Sequence, residues 1–170
     1  MLKSFGYLKY DPKNLETRFK DWWAILLVDD GLTAYYRNWI EKEYPYPVPS
    51  YKWLKKAEIE NDLDVSWSIT QRGVRTIRSV WGSHVSVIRG EKPADAALWQ
   101  KYENRKIKFE YDPTYLNTNG KHWWVKVFSP ELESVRLELG LTPQPMFFHR
   151  QSKEQRVNPF HLTLGHSVEQ

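Results

Sequence analysis

The chain has 170 residues, a net charge of +4, no cysteine, and nine Trp, ten Tyr and seven Phe. A length of this order folds as a single domain, residues 1–170, that buries about 70% of the surface its unfolded chain exposes. The missing cysteine excludes disulfides, thiolate metal sites and a Cys nucleophile, and the longest apolar run, Trp22 to Val28, is far too short for a membrane span.

The N-terminal segment has no apolar stretch of signal-peptide type, so the expected location is the cytoplasm, or the host cytoplasm for a viral protein. The mild positive charge suits an anionic partner without demanding one. Trp22 to Val28, bounded by Asp21 and by Asp29-Asp30-Gly31, is apolar on both faces and reads as a central strand. Leu32, Tyr35, Tyr36, Trp39 and Ile40 then recur at helical spacing until Tyr44-Pro-Tyr-Pro-Val-Pro49 stops the pattern. The stretch from 50 to 80 reads as an insertion, with a short helix at Trp53 to Ile59 and alternation in Val65 to Ile69.

Ser83 to Ile88 alternates strictly and ends at Arg89-Gly90, as a strand closed by a glycine turn does. Asp95 to Tyr102 has helical spacing. Arg105 to Tyr111 and Lys121 to Phe128 both alternate, and the Pro113 to Gly120 linker joins them as an antiparallel hairpin. Ser129-Pro130-Glu131 is a helix start; Leu132, Val135 and Leu139 share one face and Gly140 ends the helix. Thr142 to Pro159 has no periodicity and reads as a long loop, and Phe160 to Leu164 is the last strand. The class is α+β, in two similar halves.

One pattern occurs in both halves: His84-Val85-Ser86-Val87 and, 77 residues later, His161-Leu162-Thr163-Leu164. On a strand, His84 and Ser86 face one way while Val85 and Val87 face the core, and His161 and Thr163 do the same. Each motif therefore presents an imidazole beside a hydroxyl. Two histidines titrating near neutral pH can serve as base and acid on the two sides of one phosphodiester, with hydroxyls donating to its non-bridging oxygens.

The paired H-x-[ST]-x strands resemble those of the two-histidine (2H) phosphoesterase superfamily over roughly residues 22 to 166. That resemblance implies two pseudo-symmetric lobes around a concave, mainly antiparallel sheet. It also implies metal-independent cleavage of 2′,5′, 3′,5′ or 2′,3′-cyclic phosphate bonds, with His84 and His161 as the catalytic pair and no cofactor. The expected partner is a nucleotide or short oligonucleotide substrate, with no obligatory protein partner and no membrane. Some phage-encoded members destroy the cyclic oligonucleotides that trigger bacterial defence (anti-CBASS activity), and this chain is similar in size and motif pairing. It departs from the simplest members in carrying about eighty residues before its first motif.

Ser86 and Thr163 are read as substrate-binding, as are Arg89 and His166, each five residues after a motif histidine. An odd offset on a regular strand points away from the motif face, so solvated strand ends are the competing reading. Trp81, Trp99 and Trp123 are read as platforms for stacked bases, against a core role for any one of them. Lys92 and Lys121 are weaker candidates, and the five-residue spacing of His161 and His166 argues against a shared metal. The reading from a different functional class is an RNA-binding or RNA end-processing module that keeps the basic, aromatic cleft without degrading a signal.

Overall fold

The computed structural model describes residues 1–12, 21–43, 67–69, 75–77, 83–118, 122–148 and 155–168. Its elements are strand β1 (Leu2–Tyr10), β2 (Trp23–Val28), helix α1 (Asp30–Glu43), β3 (Trp67–Ile69), β4 (Arg75–Ile77) and β5 (His84–Arg89). After a 3-10 turn (Ala96–Leu98) come β6 (Lys106–Thr118), β7 (His122–Phe128), α2 (Pro130–Glu138), β8 (Met146–Phe148), β9 (Gln155–Val157) and β10 (His161–Val168).

The strands pair in the order β10, β5, β2, β1, β6, β7, and β7 pairs back onto β10. All these pairings are antiparallel, so the sheet closes as a six-stranded barrel in an α+β fold. β4 extends the sheet from the end of β10, with β3 beside it, while β8 and β9 form a separate two-stranded sheet. The two halves share an element order: a hairpin (β1–β2 or β6–β7), a helix, a short hairpin (β3–β4 or β8–β9), then a strand bearing His-x-hydroxyl. Among the described residues no helix is long and apolar enough to cross a membrane.

One face of the barrel strands forms the core, where Leu8, Leu26, Val85, Ile107, Val125 and Leu162 are fully buried. In β2 the core-facing residues are Ala24, Leu26 and Val28, registered against Tyr10, Leu8 and Gly6 of β1. Gly6 is required by this close approach, because a Cβ there would stand 2.6 Å from the Leu27 carbonyl oxygen. α1 buries Thr33, Tyr36, Arg37 and Ile40, one stripe at helical spacing. α2 begins as expected, with the Ser129 hydroxyl accepting from the Leu132 N–H and Pro130 in the first turn; it buries Leu132, Val135 and Arg136, and Gly140 ends it at φ +74°.

Four expectations are corrected. The N-terminal segment, in which no strand was expected, supplies β1, bonded on both sides. Asp95 to Tyr102 makes only one 3-10 turn. Gln100 and Asn104 turn the chain at φ 67° and 64°, and the Trp99 indole N–H is held by Asp11 at 2.9 Å while its ring packs edge-on against Tyr10 and Trp22. The 113–120 linker is largely strand: after a register shift, Leu116, Asn117 and Thr118 pair with Val125, Trp124 and Trp123. The 142–159 loop contains the β8–β9 hairpin. The expected helix at Trp53 to Ile59 lies outside the described residues.

Candidate functional site

The two motifs meet at the centre of the sheet. β10 pairs with β5 through Leu162 and Val85, two fully buried residues on the core face. This antiparallel register sets His84 opposite Thr163 and Ser86 opposite His161, all four on the face away from the core. Like groups thus lie on the diagonals of a square, the two histidine positions being on the order of 7–8 Å apart, a gap that a tetrahedral phosphate can fill.

The flanking strands define the surroundings. On the β5 side, Leu27 lies opposite His84, Ile25 opposite Ser86 and Trp23 opposite Arg89. On the β10 side, Lys126 lies opposite His161 and Trp124 opposite Thr163. The Trp124 ring centroid is 6.2 Å from that of His161. His84 is 8% exposed, while His161, Ser86 and Thr163 are half-buried.

Both motif strands carry a β-bulge at the last residue of the motif. In β5 the register passes from Ser86 opposite Ile25 to Ile88 opposite Ala24, leaving Val87 as the extra residue. Val87 and Ile88 are accordingly both buried. In β10 it passes from Thr163 opposite Trp124 to Gly165 opposite Trp123, leaving Leu164 extra. Each bulge reverses the alternation, so the odd-offset argument made for a regular strand fails here. Arg89 falls on the motif face, with its guanidinium 5.7 Å from the centroid of the Trp23 ring. Position 166 pairs through its backbone with His122.

His161 is the better-defined imidazole. Its Nδ1 lies 3.0 Å from the carbonyl oxygen of Pro159, which can only accept, so Nδ1 carries the proton and Nε2 holds the lone pair of the neutral ring. Burial lowers the His161 pKa below the usual histidine value; the Pro159 hydrogen bond opposes this, and the positive charge of Arg89 lowers it further. The ring is therefore neutral at pH 7. That Arg89 is felt at His161 agrees with the two lying on one face.

Trp123 is a correction to the expected platform. It is 2% exposed and sits on the core face with Val125 and Val127. Its neighbour Trp124 lies on the other face with Lys126, as the alternation of β7 implies, and the ladder with Thr163 makes that the motif face. Trp99 packs against Tyr10 and Trp22 rather than lining the motif face. Trp81 and Lys121 lie outside the described residues, and Lys92 is exposed beyond the end of β5. Besides Trp124, sequence reasoning missed Trp23 and Lys126, whose signal was also the pairing of their strands with the motif strands.

No group of three or more His, Cys, Asp or Glu side chains able to hold a metal ion occurs among the described residues. Comparison of the chain with protein-family models, with curated proteins and with solved structures gives no significant match.

Proposed function

We propose that the chain is a metal-independent phosphodiesterase of the two-histidine type, acting on a nucleotide phosphodiester such as that of a cyclic oligonucleotide or a 2′,3′-cyclic or 2′,5′-linked nucleotide. The observation that carries this reading is the β5–β10 register, which puts both imidazole–hydroxyl pairs on one face of two neighbouring strands. Polar positions filled independently on two strands have no reason to bring four such groups together on one face, with His84 buried and the other three half-buried.

His161, neutral with its lone pair on Nε2, takes the role of base. It removes the proton from the attacking hydroxyl or water as the new P–O bond forms. His84, on the other diagonal corner, is the acid and donates its proton to the leaving oxygen as the old P–O bond breaks. The Ser86 and Thr163 hydroxyls donate to the non-bridging oxygens, whose charge grows in the transition state, and the Arg89 guanidinium adds a fixed positive charge. Trp23 and Trp124 flank the site on opposite sides and offer ring faces for bases, with Lys126 beside Trp124. A role in degrading nucleotide immune signals belongs to this same reading.

The test is incubation of the protein, in EDTA, with 2′,3′-cyclic nucleotides, 2′,5′-linked adenylates, and cyclic dinucleotides and trinucleotides. Product from at least one class is expected, and its identity fixes the linkage. Tight binding of RNA with no product from any class would replace this reading by an RNA-binding module.

A further inference from the structure

Two buried arginines, one on each helix, reach the two bulges. Arg136 of α2 is fully buried and donates from Nη1 to the Val87 carbonyl at 2.7 Å. Arg37 of α1, also buried, donates from Nη1 to the Leu164 carbonyl at 3.0 Å. Val87 and Leu164 are the extra residues of the bulges, whose buried carbonyls need a donor from outside the regular ladder. Each arginine thus satisfies the irregularity at the end of a motif.

The connections cross. α1 precedes β5 in the chain, yet Arg37 holds the bulge of β10; α2 precedes β10, yet Arg136 holds the bulge of β5. On its other side, each network grips the residue just before the opposite motif histidine. Arg37 donates to the Thr33 hydroxyl at 3.0 Å, and Thr33 bonds to the Ser83 hydroxyl. Asp30 accepts from both the N–H of Ser83, at 3.0 Å, and its hydroxyl, at 2.8 Å. In the second half, Arg136 reaches the Gln144 carbonyl at 3.4 Å, and the Gln144 side-chain oxygen accepts from the Phe160 N–H at 3.2 Å. Arg136 is held in turn by Glu91 through both carboxylate oxygens, at 2.9 and 2.6 Å, and by the Thr142 carbonyl at 2.7 Å.

We infer that Arg37 and Arg136 are positioning residues, a crossed pair of clamps each tying the residue before one motif histidine to the bulge that closes the other motif. The separation of the two imidazoles is then set by both helices together. A slip of one strand carries the other with it instead of opening the gap between them. The bulge geometry that turns Arg89 toward the motif face depends on the same contacts.

The kinetic part of the test rests on the phosphodiesterase reading; the spectroscopic part does not. Arg37→Lys and Arg136→Lys keep the charge, but an ammonium is a point donor and cannot serve two fixed acceptors in the fork geometry of a guanidinium. Each is expected to lower kcat by about 10-fold to 100-fold with KM changed less than about threefold, the pattern of misplaced reacting groups. By NMR, the His161 titration in both lysine variants should move up from its lowered position toward the ordinary histidine value, since loosening either clamp hydrates the ring or displaces Arg89. If a lysine variant fails to fold, Asp30→Asn and Gln144→Ala, which leave both arginines in place, should lower kcat about 3-fold to 10-fold in the same pattern.

Folded lysine variants with wild-type kcat and wild-type His161 titration would overturn the inference. So would Asp30→Asn and Gln144→Ala proteins that change only in melting temperature. Should the wild type hydrolyse no substrate, the phosphodiesterase reading falls, while the histidine titration still decides the clamps.

Discussion

The two halves of the site share a backbone plan and differ in what surrounds it. Each has a motif strand, a bulge at the end of the motif and a buried arginine on the bulge carbonyl. Around His84 the neighbouring strand presents Leu27 and Ile25, and the imidazole is nearly covered. Around His161 it presents Lys126 and Trp124, and the Pro159 carbonyl fixes the tautomer. A repeated backbone can thus deliver two imidazoles to one place while their surroundings differ, and in the proposed mechanism that difference sets which of them gives a proton and which takes one.

The largest expected effects come from removing either histidine. His84→Ala and His161→Ala should each lower kcat by at least about 10²-fold, with folding unchanged. The halves should separate in their pH profiles. Wild-type kcat/KM is expected to be bell-shaped, its acid limb set by His161 below the usual histidine pKa. Assignment of that acid limb to His84 would reverse the division of labour.

The adjacent tryptophans sharpen the contrast between core and site. Trp123→Ala opens a cavity on the core face and should cost about 3–5 kcal/mol in unfolding free energy, read from denaturant titration. Trp124→Ala should leave stability nearly intact and raise KM by about tenfold, the worth of one stacked base. Equal stability losses at the two positions would place both rings in the core.

Between the hydroxyls the expected loss is moderate. Ser86→Ala and Thr163→Val should each cost about 10-fold to 100-fold in kcat, one neutral donor among several being removed. A loss confined to KM would mark them as ground-state contacts only.

The smallest effect is on stability. His161 has a lowered pKa in the fold, so the unfolded chain binds the proton more tightly. Its contribution is complete above about pH 6.5 and is lost as pH falls from there through the lower folded value. His161→Gln should flatten unfolding free energy against pH in that window. An unchanged slope would contradict the shift.

What could be read in the sequence was whatever a single strand or helix encodes by itself. His84 to Val87 and His161 to Leu164 alternate in polarity, and Ser129-Pro130 with Gly140 brackets α2, because those signals are local. β1 escaped because aromatic residues lie on both its faces: Phe5 and Tyr7 are exposed, with the Lys106 ammonium 3.9 Å over the Phe5 ring, while Tyr10 is buried. The face of Arg89, and the pairing that brings Trp124 and Lys126 beside the motif, were hidden for another reason. Both depend on a bulge or a register, which belongs to a pair of strands rather than to one.

The most direct test of a shared two-histidine mechanism is the turnover of the single and double histidine variants, measured in EDTA on whichever nucleotide the wild type cleaves. If one imidazole takes the proton and the other gives it, His84→Ala, His161→Ala and the double variant should all fall to nearly the same residual rate, since either loss disables the pair. Single variants that keep near wild-type turnover, or single losses that multiply in the double variant, would contradict it.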